Sequence, residues 1–193
     1  MSQFEFLMTF ASVVLAIAMT ELLAGWGRLA RSGVAIRWSP IWVGWSVVLV
    51  LLITMYWSGI WPYRDQSFGE GYKILWLVLP TFLLVVLSFL LSPEPDREAS
   101  EVDLEALYAR IAPRMFPILA LFIVATQIAD LVIGVGGPER MGPPPAVRAL
   151  LPTVFALVVA CCFSRARWLH WLALAGFGFG GAYFLFAKTG LFE

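Results

Sequence analysis

The sequence predicts an all-α polytopic membrane protein: a bundle of six transmembrane helices, with a short interfacial amphipathic helix between the third and the fourth. Three observations carry this prediction. Hydrophobic residues make up 61% of the 193 and charged residues only 13%, whereas soluble domains run at roughly 45–50% and 25%. Six apolar runs reach or approach the roughly 20 residues that a spanning helix needs. Aromatic residues also cluster at both ends of one run, about as far apart as the two faces of a bilayer.

The first span covers 4–30. No Lys or Arg precedes it, Glu5 interrupts its start and no small-residue cleavage site follows, so it reads as a retained helix rather than a signal peptide. The second covers 39–62. Trp38, Trp42 and Trp45 mark its start, and Tyr56, Trp57, Trp61 and Tyr63 its end. Trp42 and Trp61 lie nineteen residues apart, about 28 Å along a helix, which matches a hydrocarbon core of about 30 Å with an aromatic belt at each face. The third span, 73–92, is stopped by Pro93 and Pro95.

A polar segment follows. Ser100 and Asp103 resemble a capping box. Leu104, Leu107, Tyr108, Ile111 and Met115 then recur at helical spacing, away from Glu101 and Glu105, with Arg110 and Arg114 toward the C-terminal end. This predicts an amphipathic helix over 100–112 lying on the cytoplasmic face. The remaining spans are 114–135, 146–163 and 168–188. Arg148 and Pro152 shorten the clean part of the fifth, which leaves five spans as the alternative count.

With six spans, one side of the membrane carries Arg28, Arg31, Arg37, Arg97, Arg110, Arg114, Arg165 and Arg167, eight in all. The other carries Arg64, Lys73, Arg140, Arg148 and Lys188, which is five. The positive-inside rule then places both termini outside the cytoplasm. The expected location is a bacterial inner (plasma) membrane. The chain reads as one transmembrane domain.

Shifted by 109 residues, the first span meets the fourth: Glu21 falls on Asp130, Leu22 on Leu131, Gly25 on Gly134 and Gly27 on Gly136. Three spans separate the two starts, so such a match suggests an inverted repeat of 1–92 and 113–193, as in many transporters.

Few residues point to chemistry. No nucleophile elbow, phosphate loop or HExxH occurs, and no spacing suits a metal, so neither enzyme activity nor a cofactor is expected. Formal net charge is zero, which gives no reason to expect nucleic acid. Adjacent Cys161 and Cys162 read as buried thiols. His170, between Trp168 and Trp171, reads as interfacial packing. The run GFGFGG at 176–181 follows no strand and lies inside an apolar helix, so it is not a dinucleotide loop. Gly176, Gly178, Gly180 and Ala182 instead form small-residue stripes that let helices approach closely, within one subunit or between two.

Glu21 and Asp130 are the acids set within spans, apart from Glu5 near the start of the first helix. A charge at the bilayer centre costs about 2.5–3.5 kcal/mol, so such a residue faces the bundle interior, lines a hydrated path or finds a cationic partner. Thr9, Ser12, Ala16 and Thr20 share one helical face and could line a path or pack on a neighbour. Thr126, Gln127 and Asp130, at the depth of Thr54, Tyr56 and Ser58, suggest an outer vestibule.

Phe10 followed by Ala16-Ile17-Ala18-Met19-Thr20 resembles the first-helix signature of the bacterial and lysosomal six-span potassium-permeable channels. The resemblance spans the eleven residues from Phe10 to Thr20. It implies an oligomer whose first helix lines a cation pore. Ala11-Ser12 stands where that family has Ser-Asp, no arginine precedes it, and the family's cytoplasmic N-terminus disagrees with the charge bias here. The chain also resembles the small polytopic membrane proteins of bacteria, which implies no function.

Two functions are therefore expected. The first is a small ion- or proton-conducting channel or transporter using Glu21 and Asp130, with Thr9, Ser12, Thr20 and Gln127 along the path. The alternative is a non-transporting scaffold or assembly subunit that binds partner membrane proteins. Both have the lipid bilayer as solvent, and both fit a homo-oligomer.

Overall fold

The computed structural model describes residues 2–94, 101–133 and 145–188, with the side chains of 145–150 and 184–188 set aside. Six α-helices account for most of them: α1 (Gln3–Arg31), α2 (Pro40–Gly59), α3 (Gly71–Leu91), α4 (Leu104–Ile133), α5 (Pro145–Phe163) and α6 (Arg167–Lys188). Four are long and apolar enough to cross a membrane: α1, α2 with the 3-10 turn Trp61–Asp65 that extends it, α3 and α4. Among the described residues α5 offers a shorter apolar stretch, Leu151–Phe163.

Local chemistry sets the helix ends. Ser2 accepts from the Glu5 N–H while Glu5 accepts from the Ser2 N–H, a reciprocal cap on the start of α1. Pro40 opens α2 at a position where a missing N–H costs nothing. At the end of α3, Ser92 turns extended (ψ 118°) because Pro93 follows it. The Asp103 carboxylate accepts from the Glu105 and Ala106 N–H groups and starts α4.

The helices close a circuit in which α1 packs on α3, α3 on α4, α4 on α5, α5 on α6, α6 on α2 and α2 back on α1. Helix α2 also touches α3 and α4. Trp45 stands edge-on to Phe116 of α4 and Phe177 of α6, with ring centroids 5.4 and 5.7 Å away. A second apolar cluster, including Phe4, Ile60, Phe68, Leu77 and Ile133, closes the end of the bundle where α1 begins. Large apolar side chains also cover the outside, among them Phe6, Leu75, Leu131 and Phe163. A bundle that is apolar inside and out is suited to hydrocarbon surroundings rather than to water.

Three sequence expectations are corrected. Trp42 and Trp45 do not form a lipid-facing belt; they are 0% and 2% exposed, in the core. The exposed indoles of this segment are those of Trp38, Trp57 and Trp61. The amphipathic helix expected over 100–112 is not a separate element. Its apolar face, Leu104, Tyr108, Ile111 and Met115, continues in phase into Phe116, Leu119 and Phe122, so one buried stripe carries α4 unbroken through Pro113 and Pro117. The all-helical class holds, with one short addition. Ala35–Arg37 (β1) and Glu101–Asp103 (β2) form a short parallel ladder, Ala35 opposite Glu101 and Arg37 opposite Asp103. It ties the α1–α2 connection to the α3–α4 connection, with an Arg37–Asp103 ion pair at 3.1 Å. Lastly, His170 is 6% exposed and belongs to the core.

Candidate functional site

The polar groups gather at the two ends of the bundle. At the end where α1 finishes, Glu21 accepts from the Arg28 guanidinium at 2.6 Å. The two residues are seven apart, which is two helical turns, so they share a face; side chains lean toward the helix N-terminus, which carries Arg28 back toward Glu21. The same guanidinium donates to Ser92 Oγ at 2.6 Å and, from Nε, to the Pro93 carbonyl at 3.2 Å. The Ser92 hydroxyl donates to the Glu21 carbonyl at 3.0 Å. Gly25 permits this junction, since a Cβ there would overlap Ser92 Oγ and stand 2.8 Å from Pro93 Cδ.

Other contacts bind the same end together. The Trp42 indole N–H donates to the carbonyl of Leu91, one of the unpaired groups at the end of α3, at 3.2 Å. Glu105 of α4 accepts from Ser39 Oγ at 2.7 Å and pairs with Arg167 at the start of α6. Three inter-helix connections, 1–2, 3–4 and 5–6, therefore converge here. A little deeper, the Tyr108 hydroxyl and His170 Nδ1 lie 2.8 Å apart, and His170 Nε2 lies 3.2 Å from the Ser164 carbonyl. That carbonyl can only accept, so Nε2 donates and Nδ1 accepts from Tyr108.

At the opposite end Asp130 accepts from the hydroxyl of buried Tyr63, in the 3-10 turn. The Tyr56 hydroxyl donates to the Leu77 carbonyl at 2.5 Å. An open groove of about 640 Å³ runs between the start of α1 and the 3-10 turn. Glu5, Thr9, Ser12, Trp57, Arg64 and Asp65 are among the residues that line it.

The structure thus sets Glu21 and Asp130 apart, at opposite ends. Thr9 and Ser12 share the groove, where Thr9 donates to the Glu5 carbonyl at 2.8 Å and Ser12 accepts from the Trp57 indole at 3.1 Å. Ala16 and Thr20 lie on the exposed face of α1. Thr54, Ser58 and Thr126 donate to carbonyls of their own helices at 3.0, 3.0 and 2.8 Å, and Gln127 is exposed. These hydroxyls are satisfied as hydroxyls in hydrocarbon must be.

The small residues of α6 divide. A Cβ on Gly176 would stand 3.2 Å from Val154 of α5, whereas one on Gly178 or Gly180 would meet no described atom within 4 Å. Ala182 is part-buried. Gly181, not singled out by the sequence, faces Met55 and Leu51 of α2. Cys161 is buried, and the part-buried Cys162 thiol lies 3.4 Å from the Val158 carbonyl. Gly134, Gly136 and Ser100 lie outside the described residues.

Sequence reasoning missed Ser92, Tyr63 and the Arg64–Asp65 pair. A serine after a leucine run and a tyrosine beside a proline carry no local signal of the charged residue each will meet. No protein family matches this chain, and no curated protein or solved structure is significantly similar to it.

Proposed function

We propose that this chain is a six-span membrane subunit that holds partner helices, including copies of itself, rather than one that moves solute through its own interior. One observation carries the reading. The two acids set deep within spans are engaged inside the chain, Glu21 by Arg28 and Asp130 by Tyr63, and apolar Trp45, Val48, Leu49 and Ile53 of α2 are buried in the core. A carboxylate held by a guanidinium at 2.6 Å already has its charge balanced, which weakens its hold on a further cation.

The span count extends the four long apolar helices. Helices α5 and α6 contain 19 and 22 residues, about 28 and 33 Å of helix, enough to cross hydrocarbon. The ladder, Glu105 and Arg167 gather the arginine-rich connections at one end. This suits a cytoplasmic face there, both termini outside, and a bacterial plasma membrane as the location. The face of α6 left open at Gly178 and Gly180, beside exposed Phe179, suits close approach of a second helix.

Conduction stands as a second reading on one observation. Ala16 and Thr20 face outward on α1, so a polar path would have to form between copies rather than within one. Reconstitution into proteoliposomes separates the two. Under the scaffold reading, proton and potassium flux does not exceed that of empty vesicles, and a stoichiometric partner or second copy survives mild extraction. Flux that disappears in Glu21→Gln or Asp130→Asn, with both variants folded, would overturn it.

A further inference from the structure

We propose that the groove between α1 and the 3-10 turn binds the headgroup of a zwitterionic phospholipid, its phosphate on Arg64 and its ammonium on Glu5 and Asp65. This requires only that the helices cross a bilayer, and it stands apart from the scaffold reading. The groove, at about 640 Å³, falls in the roughly 300–1,000 Å³ range of small-molecule sites.

The charges select the class of lipid. Two carboxylates and one guanidinium line the same concavity. Their sum is negative, which opposes a headgroup carrying phosphate alone and suits one carrying an ammonium as well. Glu5 receives the Ser2 N–H on Oε2, which leaves Oε1 for an ammonium. Arg64 is held by Asp65, 3.5 Å from its Nε, and by the Trp61 ring, whose centroid lies 5.5 Å from the guanidinium carbon. Both contacts leave the terminal nitrogens as phosphate donors, in the planar geometry that guanidinium offers to phosphate oxygens.

The surroundings select the depth. Trp57 and Trp61 wall the groove and stand 48% and 56% exposed. Indoles at the end of a spanning helix sit at headgroup level. Trp61 is braced edge-on against Phe4 at 6.2 Å. From the charges the groove descends along Met8 and Ser12, about 10 Å down the helix from Glu5, where glycerol and the start of an acyl chain would lie.

The test incorporates the full chain into vesicles of equal phosphatidylethanolamine and phosphatidylglycerol, extracts it in mild detergent and counts retained lipid by native mass spectrometry. The native protein is expected to retain phosphatidylethanolamine in preference. Arg64→Gln is expected to lower that retention about tenfold, the effect of losing one charge-assisted contact, and Trp61→Ala to lower it by less, by removing the ring that holds Arg64. The double variant Glu5→Gln/Asp65→Asn should shift preference toward phosphatidylglycerol. All four side chains lie outside the core apart from Trp61's edge on Phe4, and a glutamine at position 5 keeps the acceptor that caps α1, so thermal midpoints should change little. Equal retention of both lipids by the native protein, or native-like retention by folded Arg64→Gln, would overturn the proposal.

Discussion

Glu21 shows how a carboxylate persists in a helix otherwise built for lipid. Its partner is on its own helix, two turns ahead, and both side chains are part-buried, at 34% exposure for Arg28 and 20% for Glu21. The pair is asymmetric in what surrounds it. Arg28 keeps Ser92 and the Pro93 carbonyl if Glu21 is neutralised, while Glu21 without Arg28 loses the one cation it pairs with among the described residues. Arg28→Ala should therefore destabilise by about 1–3 kcal/mol, the cost of stranding a polar group. Glu21→Gln should cost less, and the double variant should recover part of the Arg28→Ala loss. Thermal unfolding of the four proteins in one detergent checks the order. If Arg28→Ala and Glu21→Gln cost the same and add, the pair is not coupled.

Between elements, the glycines separate internal packing from open surface. Alanine is the better helix former by about 1 kcal/mol, so in an unobstructed helix a Gly→Ala change stabilises. At Gly25 the added methyl would meet Ser92 and Pro93, with backbone as well as side chain in the way. Gly25→Ala should thus lower stability by about 1–3 kcal/mol, as overpacking does, and unseat the end of α3. Gly178→Ala should be neutral or stabilising. Gly178→Leu should leave the fold intact yet weaken self-association, measured by crosslinking or sedimentation in detergent. A self-association indifferent to Gly178→Leu would remove α6 as the docking face.

At the scale of the whole molecule, the converging connections and the arginine bias make one orientation testable. Cys161 and Cys162 are first replaced by alanine. Cysteine is then placed at exposed Ser67, between α2 and α3, or at exposed Glu94, after α3. In intact cells a membrane-impermeant maleimide should label Ser67→Cys, and should reach Glu94→Cys only after permeabilisation. The opposite pattern would invert the molecule.

The sequence by itself determined the helical, apolar class and the positions of the helices, apart from where α4 begins. A helix in hydrocarbon must satisfy its own backbone hydrogen bonds, so an apolar run of sufficient length is nearly enough to specify it. Pro40, Pro93 and Asp103 then set ends through strictly local geometry. Glu21, Asp130, Thr9 and Ser12 were identifiable because polarity inside an apolar run stands out. Only the tertiary structure decided which way each helix faces. Where the outside is as apolar as the inside, hydropathy no longer distinguishes core from lipid, and Trp42 and Trp45 read like belt residues although they are buried. The partners of the polar groups were hidden for a related reason. Tyr63 reaches Asp130 and Ser92 reaches Arg28 across separations of 67 and 64 residues, and such meetings come from the packing of whole helices, not from any pattern in the neighbouring sequence.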